Sequence, residues 1–246
     1  KVIVKTLNDR IPHGVDPQQL GKKSELFYRQ HKVLSELVHP QIPKVLHSFT
    51  TEQDGDTTFH SVQEWFDGPT LEEVVKQKGK LPVEEAVRMS LSLLEPLEYC
   101  HAQGVKHRDV KPKNVIISDK QAKLIDFGFV LDEESPEEGG STMVGTLGYA
   151  APEQLWGRAT EQSDIYSVGA TLLHMVTGKD CEEMLNHGGK TYEERFRVCY
   201  EEHVKDLDER LQEIFARSLD VDVAKRYGTV VEMRTDLEMM LVTSGA

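Results

Sequence analysis

The sequence is short of cysteine, of long apolar runs and of positive charge, and each shortage removes a class of protein. Its three cysteines, Cys100, Cys181 and Cys199, are an odd number with no framework spacing, so a reducing, cytoplasmic setting is expected. No stretch approaches the roughly 18 consecutive apolar residues that a spanning helix needs, so no membrane segment is expected. The opening residues KVIVKTLN lack the basic, apolar and small-residue zones of a signal peptide. Lys and Arg number 29 against 42 Asp and Glu, a formal charge of −13. That balance argues against nucleic acid or anionic lipid as a partner and leaves room for basic peptides. Internal repeats and low-complexity tracts are absent as well.

What is present suffices for one large core or two modest lobes, since 38% of the 246 residues are hydrophobic. VIVK (2–5) reads as a short strand, and TLNDRIPHGVDPQQLG as a loop. Helical spacing follows, with Leu26, Arg29, Val33, Leu34 and Leu37 near one face, and His39-Pro40 ends it. Residues 42–66 look like two strands around the turn signal Asp54-Gly55. After FDGP (66–69) the pattern turns helical, which sets a boundary near residues 64 to 69. LPVEEAVRMSLSLLEPLEYCHAQG carries a stripe of Val87, Leu91, Leu94 and Leu97. Pro96 inside it should kink the helix or cost about 3 kcal/mol if the helix stays straight. Cys181, His187, Cys199 and His203 fall within one segment, but zinc ligands show tighter cysteine pairs. Buried cysteines and surface histidines are therefore the reading taken.

The stretch HRDVKPKNVIISDKQAKLIDFG (107–128) carries the chemistry. Two β-rich runs, NVIIS and AKLI, flank the polar turn DKQ, and a hairpin centred on residue 120 puts Asn114 opposite Asp126 at its open end. An Asn oxygen beside a carboxylate makes a hard-oxygen site suited to Mg²⁺. Asp109 and Lys111 lie just upstream, a carboxylate able to take a proton beside a cation able to hold an anion. Either polar residue alone would pass as a turn cap; the full set at this spacing points to catalysis.

HRDVKPKN resembles the catalytic loop of protein kinases, and Asp126-Phe127-Gly128 resembles their metal-binding D-F-G. GTLGYAAPE (145–153), SDIYSVG (163–169) and DVAKR (222–226, with Val223 where the family has Pro) are similar to later kinase elements. VIVK and EWFDG (64–68) are similar to the Lys-bearing strand and the hinge. The resemblance runs through essentially the whole chain, in the family's order. It implies a two-lobed α+β kinase fold, with a mainly β N-lobe over residues 1–65, a hinge at 64–68 and a mainly α C-lobe over 69–246. The pattern is closest to Ser/Thr kinases, with a flavour of the eukaryotic-like bacterial branch.

By that resemblance Asp109 is the base that takes the proton of the substrate hydroxyl. Lys111 steadies the γ-phosphoryl group, and Thr146 lines the hydroxyl site. Asn114 and Asp126 hold Mg²⁺. For ATP, Lys5 pairs with the phosphates, Glu64 and Phe66 offer backbone groups to adenine, Ile3 and Ile116 close on the base, and Gln63 sets the pocket's depth. The partner is a protein or peptide substrate. Glu153 and Arg226 form a structural ion pair. Twenty-seven positions separate Asp126 from Glu153, and phosphate on Ser141 or Thr142 within them is expected to order that loop through Arg108.

Three features depart from the pattern. The glycine-rich phosphate loop is not in this sequence, which starts at the strand that normally follows it, Gln30 stands where the family carries the Glu that pairs with the strand Lys, and Ile3 replaces a small Ala. They leave open a pseudokinase, a binding or scaffolding module without turnover. A small-molecule kinase shares the Asp and Asn, but Lys111 and GTLGYAAPE argue against it.

Overall fold

The computed structural model describes residues 1–7, 11–12, 31–53, 56–127, 145–184 and 200–243. Its first part is an antiparallel sheet of β1 (Val2–Thr6), β2 (Ile11–Pro12), β3 (Val45–Gln53) and β4 (Asp56–Glu64). β4 is central, pairing with β1 and β2 along one edge and β3 along the other. The register sets Ile3 opposite Gln63 and Lys5 opposite Ser61. Because strand side chains alternate, Ile3 and Lys5 share the inward face while Val2 and Val4 stay exposed. β2 falls inside the stretch expected to be loop, a correction made by its pairing with β4. The Asp54-Gly55 turn and residues Leu26, Arg29 and Gln30 lie outside the described residues.

Helical residues 31–36 (α1) and the turn after them put Val33, Leu34 and Leu37 into the core. The segment is then tied down by the Val38 amide, which donates to the Tyr99 hydroxyl at 2.9 Å. The helical part comprises α2 (Leu71–Lys78), α3 (Val83–Ala102), α4 (Pro152–Leu155), α5 (Glu161–Thr177), α6 (Cys181–Met184), α7 (200–204), α8 (Glu209–Ser218) and α9 (Val230–Thr243), with the hairpin β5 (Val115–Ser118) and β6 (Gln121–Leu124) between α3 and α4. Every residue of α5 from Ser163 to Val176 is buried. A helix buried on every side is a central one, and α3, α8 and α9 pack about it. Among the described residues, no helix is long and apolar enough to cross a membrane.

Pro96 does not break α3, which runs through it as a 20-residue helix. A helical Pro removes the bond to the carbonyl four residues back, here Ser92. That carbonyl takes the Gln41 side-chain amide instead, at 2.7 Å, and the same amide donates to Ala122 O at 2.8 Å. Gln41 also accepts the Leu124 amide through its main chain at 2.8 Å. One buried Gln thus offsets the proline's missing donor and fastens α3 to β6.

The hairpin register differs by one from the expected centre. Val115 pairs with Leu124 and Ser118 with Gln121, so Asn114 sits beside Ile125, whose amide donates to Asn114 O at 2.9 Å. The turn is the two-residue Asp119-Lys120, both at positive φ (53° and 63°), which matches the twist of the strands as a type I′ turn does. Of the Cys/His segment, Cys181 is buried with its thiol directed to Ala170 O, whereas His187 and Cys199 lie outside the described residues. Among those described, no group of three or more His, Cys, Asp or Glu could hold a metal ion.

Candidate active site

The catalytic-loop residues owe their positions to one fully buried carboxylate, Asp164 in the first turn of α5. It accepts the His107 amide at 2.9 Å, the Arg108 amide at 2.8 Å and a bond with the His101 ring at 2.8 Å. Burial works against its charge, but the His101 bond, the His101 and His107 rings and the Arg108 amide together hold its pKa below the ordinary value. Arg108 takes φ 67°, a conformation costing on the order of 1–3 kcal/mol outside glycine. The Asp164 bond and the Gln154 amide on Arg108 O, at 2.5 Å, pin it there.

Held in this way, the loop gathers four polar residues. The Thr146 hydroxyl donates to Asp109 Oδ1 at 2.8 Å and accepts from Lys111 Nζ at 2.6 Å. Lys111 Nζ also lies 2.7 Å from Asp109 Oδ2. Asn114 Nδ2 donates to both the main-chain oxygen and Oδ2 of Asp109 at 2.8 Å each. Both Asn114 amide hydrogens are thereby spent, which leaves its carbonyl oxygen as the group able to meet a cation.

A second pair lies across the cleft. Lys5 Nζ contacts Asp126 Oδ1 at 2.9 Å, with the Asp126 carboxylate half exposed. Partial burial opposes the charge on Asp126, and the Lys5 ammonium outweighs it to lower the carboxyl pKa. A pair this exposed is worth roughly 0–1 kcal/mol, so incoming ligands can separate it easily. Asp126 also sits at positive φ (63°). His107 joins the two groups: its Nδ1 accepts the Asp109 amide at 3.3 Å, its Nε2 donates to Ile125 O at 3.2 Å, and its ring meets Phe127 edge-on at 4.7 Å. Desolvation lowers the His107 pKa, as a neutral ring with one donor and one acceptor requires. The Asn114 oxygen and the Asp126 carboxylate are the hard donors Mg²⁺ prefers, and the cationic Lys5 beside them suits phosphate.

The remaining candidates line the route from sheet to helices. Glu64 gives its amide to Lys44 O at 2.9 Å, and the Lys123 ammonium lies 5.6 Å from the centre of the Phe66 ring. Gly68, at φ 157°, has no room for a Cβ, which would lie 2.1 Å from Ile117 O. That close approach brings the 66–70 segment onto β5, where Ile116 bridges Thr70. Gln63 is buried, and Ile3 faces it in register. The sequence did not point to Asp164, Gln154, Gly68 or the joining role of His107. For the first, its place inside SDIYSVG, the stretch similar to a kinase element, was the available signal.

A small sheet lobe over a helical lobe, with polar residues from both gathered at their junction, defines the class: a two-lobed α+β domain. A family model described as the protein kinase domain matches residues 13–236, and the chain belongs to that family. It is 32% identical over 246 residues to serine/threonine-protein kinase B of Synechocystis sp., covering 95% of this chain and 41% of that protein. It is also 32% identical over 256 residues to serine/threonine-protein kinase PknA of Nostoc sp., covering 99% and 43%. Serine/threonine-protein kinase PknB of Mycobacterium leprae is 29% identical over 222 residues, covering 86% and 35%. The chain spans less than half the length of these relatives.

Proposed function

We propose that this domain transfers the γ-phosphoryl group of ATP to Ser or Thr hydroxyls of protein substrates in the cytoplasm, with residues 64–68 as hinge between a lobe over 1–65 and a lobe over 69–246. The observation that carries this reading is the convergence of Asp109, Lys111, Asn114 and Thr146 within hydrogen-bonding distance.

The substrate hydroxyl would take the place of the Thr146 hydroxyl on Asp109 Oδ1. Asp109 accepts its proton as the oxygen bonds to phosphorus and the bond to ADP breaks. Lys111 stays beside the transferring group and offsets its charge. Asn114 and Asp126 would hold Mg²⁺, which neutralises the phosphates when bound. Lys5 releases Asp126 to pair with the α- and β-phosphates. Ile3 and Ile116 close on adenine, the backbone at Glu64 and Phe66 orients it, and Gln63 stands behind it. The protein contributes position and charge more than covalent chemistry. Phosphate on Ser141 or Thr142, residues outside those described, would order the loop through Arg108.

The test is phosphate transfer from ATP with Mg²⁺ to a basic peptide and to the protein itself, in the full-length protein and its Asp109→Asn variant. The variant should lose about a thousandfold in rate. Equal rates, or none in the parent protein, would sink the reading and leave a scaffold.

A further inference from the structure

One buried side chain of the helical lobe touches both halves of the acceptor site from behind. Gln154, in the short helix α4, reaches two separate stretches of chain. Its Nε2 donates to the main-chain oxygen of Arg108, the residue before Asp109, at 2.5 Å. The same nitrogen lies against Gly145, the residue before Thr146, because a Cβ at Gly145 would be only 2.4 Å from it. The Ala150 Cβ closes the space from another side, 2.7 Å from that point. Gly145 also stands at φ 118°, where a residue with a side chain is strained. Only glycine lets the amide pass so close.

The orientation of the amide follows from its partner. A carbonyl oxygen can only accept, so the nitrogen end of Gln154 must face Arg108 O. That oxygen belongs to the peptide unit that ends in the Asp109 amide, which donates to His107 Nδ1 at 3.3 Å. Gln154 and His107 therefore grip opposite edges of the peptide from which Asp109 departs. On the other stretch, the Thr146 oxygen accepts the Tyr149 and Ala150 amides at 3.0 and 2.8 Å. This turn presents the Thr146 hydroxyl to Asp109 Oδ1 at 2.8 Å. The two stretches are joined at the front by that hydroxyl and at the back by one amide.

We propose that Gln154 is a positioning residue that locks the segment carrying Thr146 onto the catalytic loop, so that Thr146 and Asp109 are held at their spacing as a unit. The consequence for rate rests on the phosphotransfer reading given above. A substrate hydroxyl that replaces Thr146 on Asp109 needs that same spacing, so loosening the lock lowers kcat. Nucleotide affinity, which that reading places at Lys5 and residues 63–66, is untouched. Gln154→Met keeps the shape of the side chain and removes only its donor. Gln154→Glu sets a carboxylate against the Arg108 carbonyl and should do more harm.

The experiment measures kcat and KM for a basic peptide, and the calorimetric dissociation constant of Mg-ATP, in the full-length protein. The variants are Gln154→Met, Gln154→Glu, Thr146→Val and the double variant Gln154→Met/Thr146→Val. Gln154→Met should lower kcat about tenfold and Gln154→Glu further, with Mg-ATP affinity within about twofold of the parent. On top of Thr146→Val, Gln154→Met should cost only about twofold more, since the contact it protects is already gone. Amide hydrogen exchange supplies a readout apart from turnover. In Gln154→Met it should quicken about tenfold both at Arg108 and Asp109 and at Tyr149 and Ala150, and stay unchanged elsewhere. A merely structural role would quicken exchange throughout the helical lobe. That result overturns the inference, as does quickening on one side alone or a tenfold loss that persists in the Thr146→Val background. If the parent transfers no phosphate, the functional reading fails, and the exchange rates alone decide whether Gln154 joins the two segments.

Discussion

At the scale of single residues, Asp109 is the most heavily bonded carboxylate of the cleft, taking Thr146, Lys111 and Asn114 on its two oxygens. These bonds hold the carboxylate in one rotamer, and Oδ1, which takes only the Thr146 hydroxyl, is the oxygen open to a substrate hydroxyl. Thr146, neutral and joined to Asp109 by a single hydrogen bond, is the most readily displaced of the three. Thr146→Val should therefore lower kcat by roughly tenfold to a hundredfold while nucleotide binding stays unchanged, and Thr146→Ser should restore it. Steady-state kinetics with calorimetric nucleotide affinities checks both halves. If Thr146→Ser performs like Thr146→Val, the hydroxyl is not what matters there. The motif made Asp109, Lys111 and Asn114 legible because they lie within six residues of one another. The partners that orient the loop, Asp164 and Gln154, are 46 to 57 residues from the groups they bind, so nothing within the loop reveals them.

At the scale of elements, the unexpected features are polar groups that replace missing backbone bonds. Gln41→Leu would leave Ser92 O and Ala122 O without their donor, and α3 would face the full consequence of Pro96. A loss of about 2–3 kcal/mol is expected by urea denaturation. Pro96→Ala in that background should return part of it, since the helix regains its own donor. The β5–β6 turn offers the opposite sign. Lys120 sits at φ 63° without the freedom of glycine, so Lys120→Gly should stabilise the protein by on the order of 0.5–1 kcal/mol in the same assay. An unchanged or lower midpoint would mean that the left-handed turn carries no strain.

For the molecule as a whole, two features join distant stretches of the helical lobe. Arg226, its side chain fully buried, binds both Glu153 oxygens, at 2.7 and 2.8 Å, and also Asp220 O and Gln162 O. Arg226→Met leaves Glu153 without its bidentate partner and should cost about 3–5 kcal/mol, measured by calorimetric or urea unfolding. Buried histidines set the pH response. Burial lowers the pKa of both His107 and His174, so below the unfolded value of about 6.5 the unfolded chain binds more protons than the folded one. Their contribution is complete above that pH and is lost as pH falls through it toward the lower folded values. The unfolding free energy should accordingly decline between about pH 7.5 and about pH 5.5. Asp164 and Glu153, whose bonds from His101 and Arg226 outweigh burial and depress their pKa values, add a further loss below about pH 4. A flat profile down to about pH 5.5 would show that the histidines are not held neutral.

The sequence by itself determined most strands and helices, β2 excepted, which faces are apolar, and which residues resemble the kinase motifs, because periodicity and contiguous motifs are local. Tertiary structure decided the hairpin register, since a two-residue turn at Asp119-Lys120 depends on positive φ at a Lys that no turn pattern favours. It also decided the partners of the inward polar groups: Gln41 with Ser92, Asp164 with the catalytic-loop amides, and His31 with Ser61. An apolar face needs only to be covered, and many neighbours will do. A buried donor or acceptor needs one group at one distance and angle, and only the assembled fold can supply it.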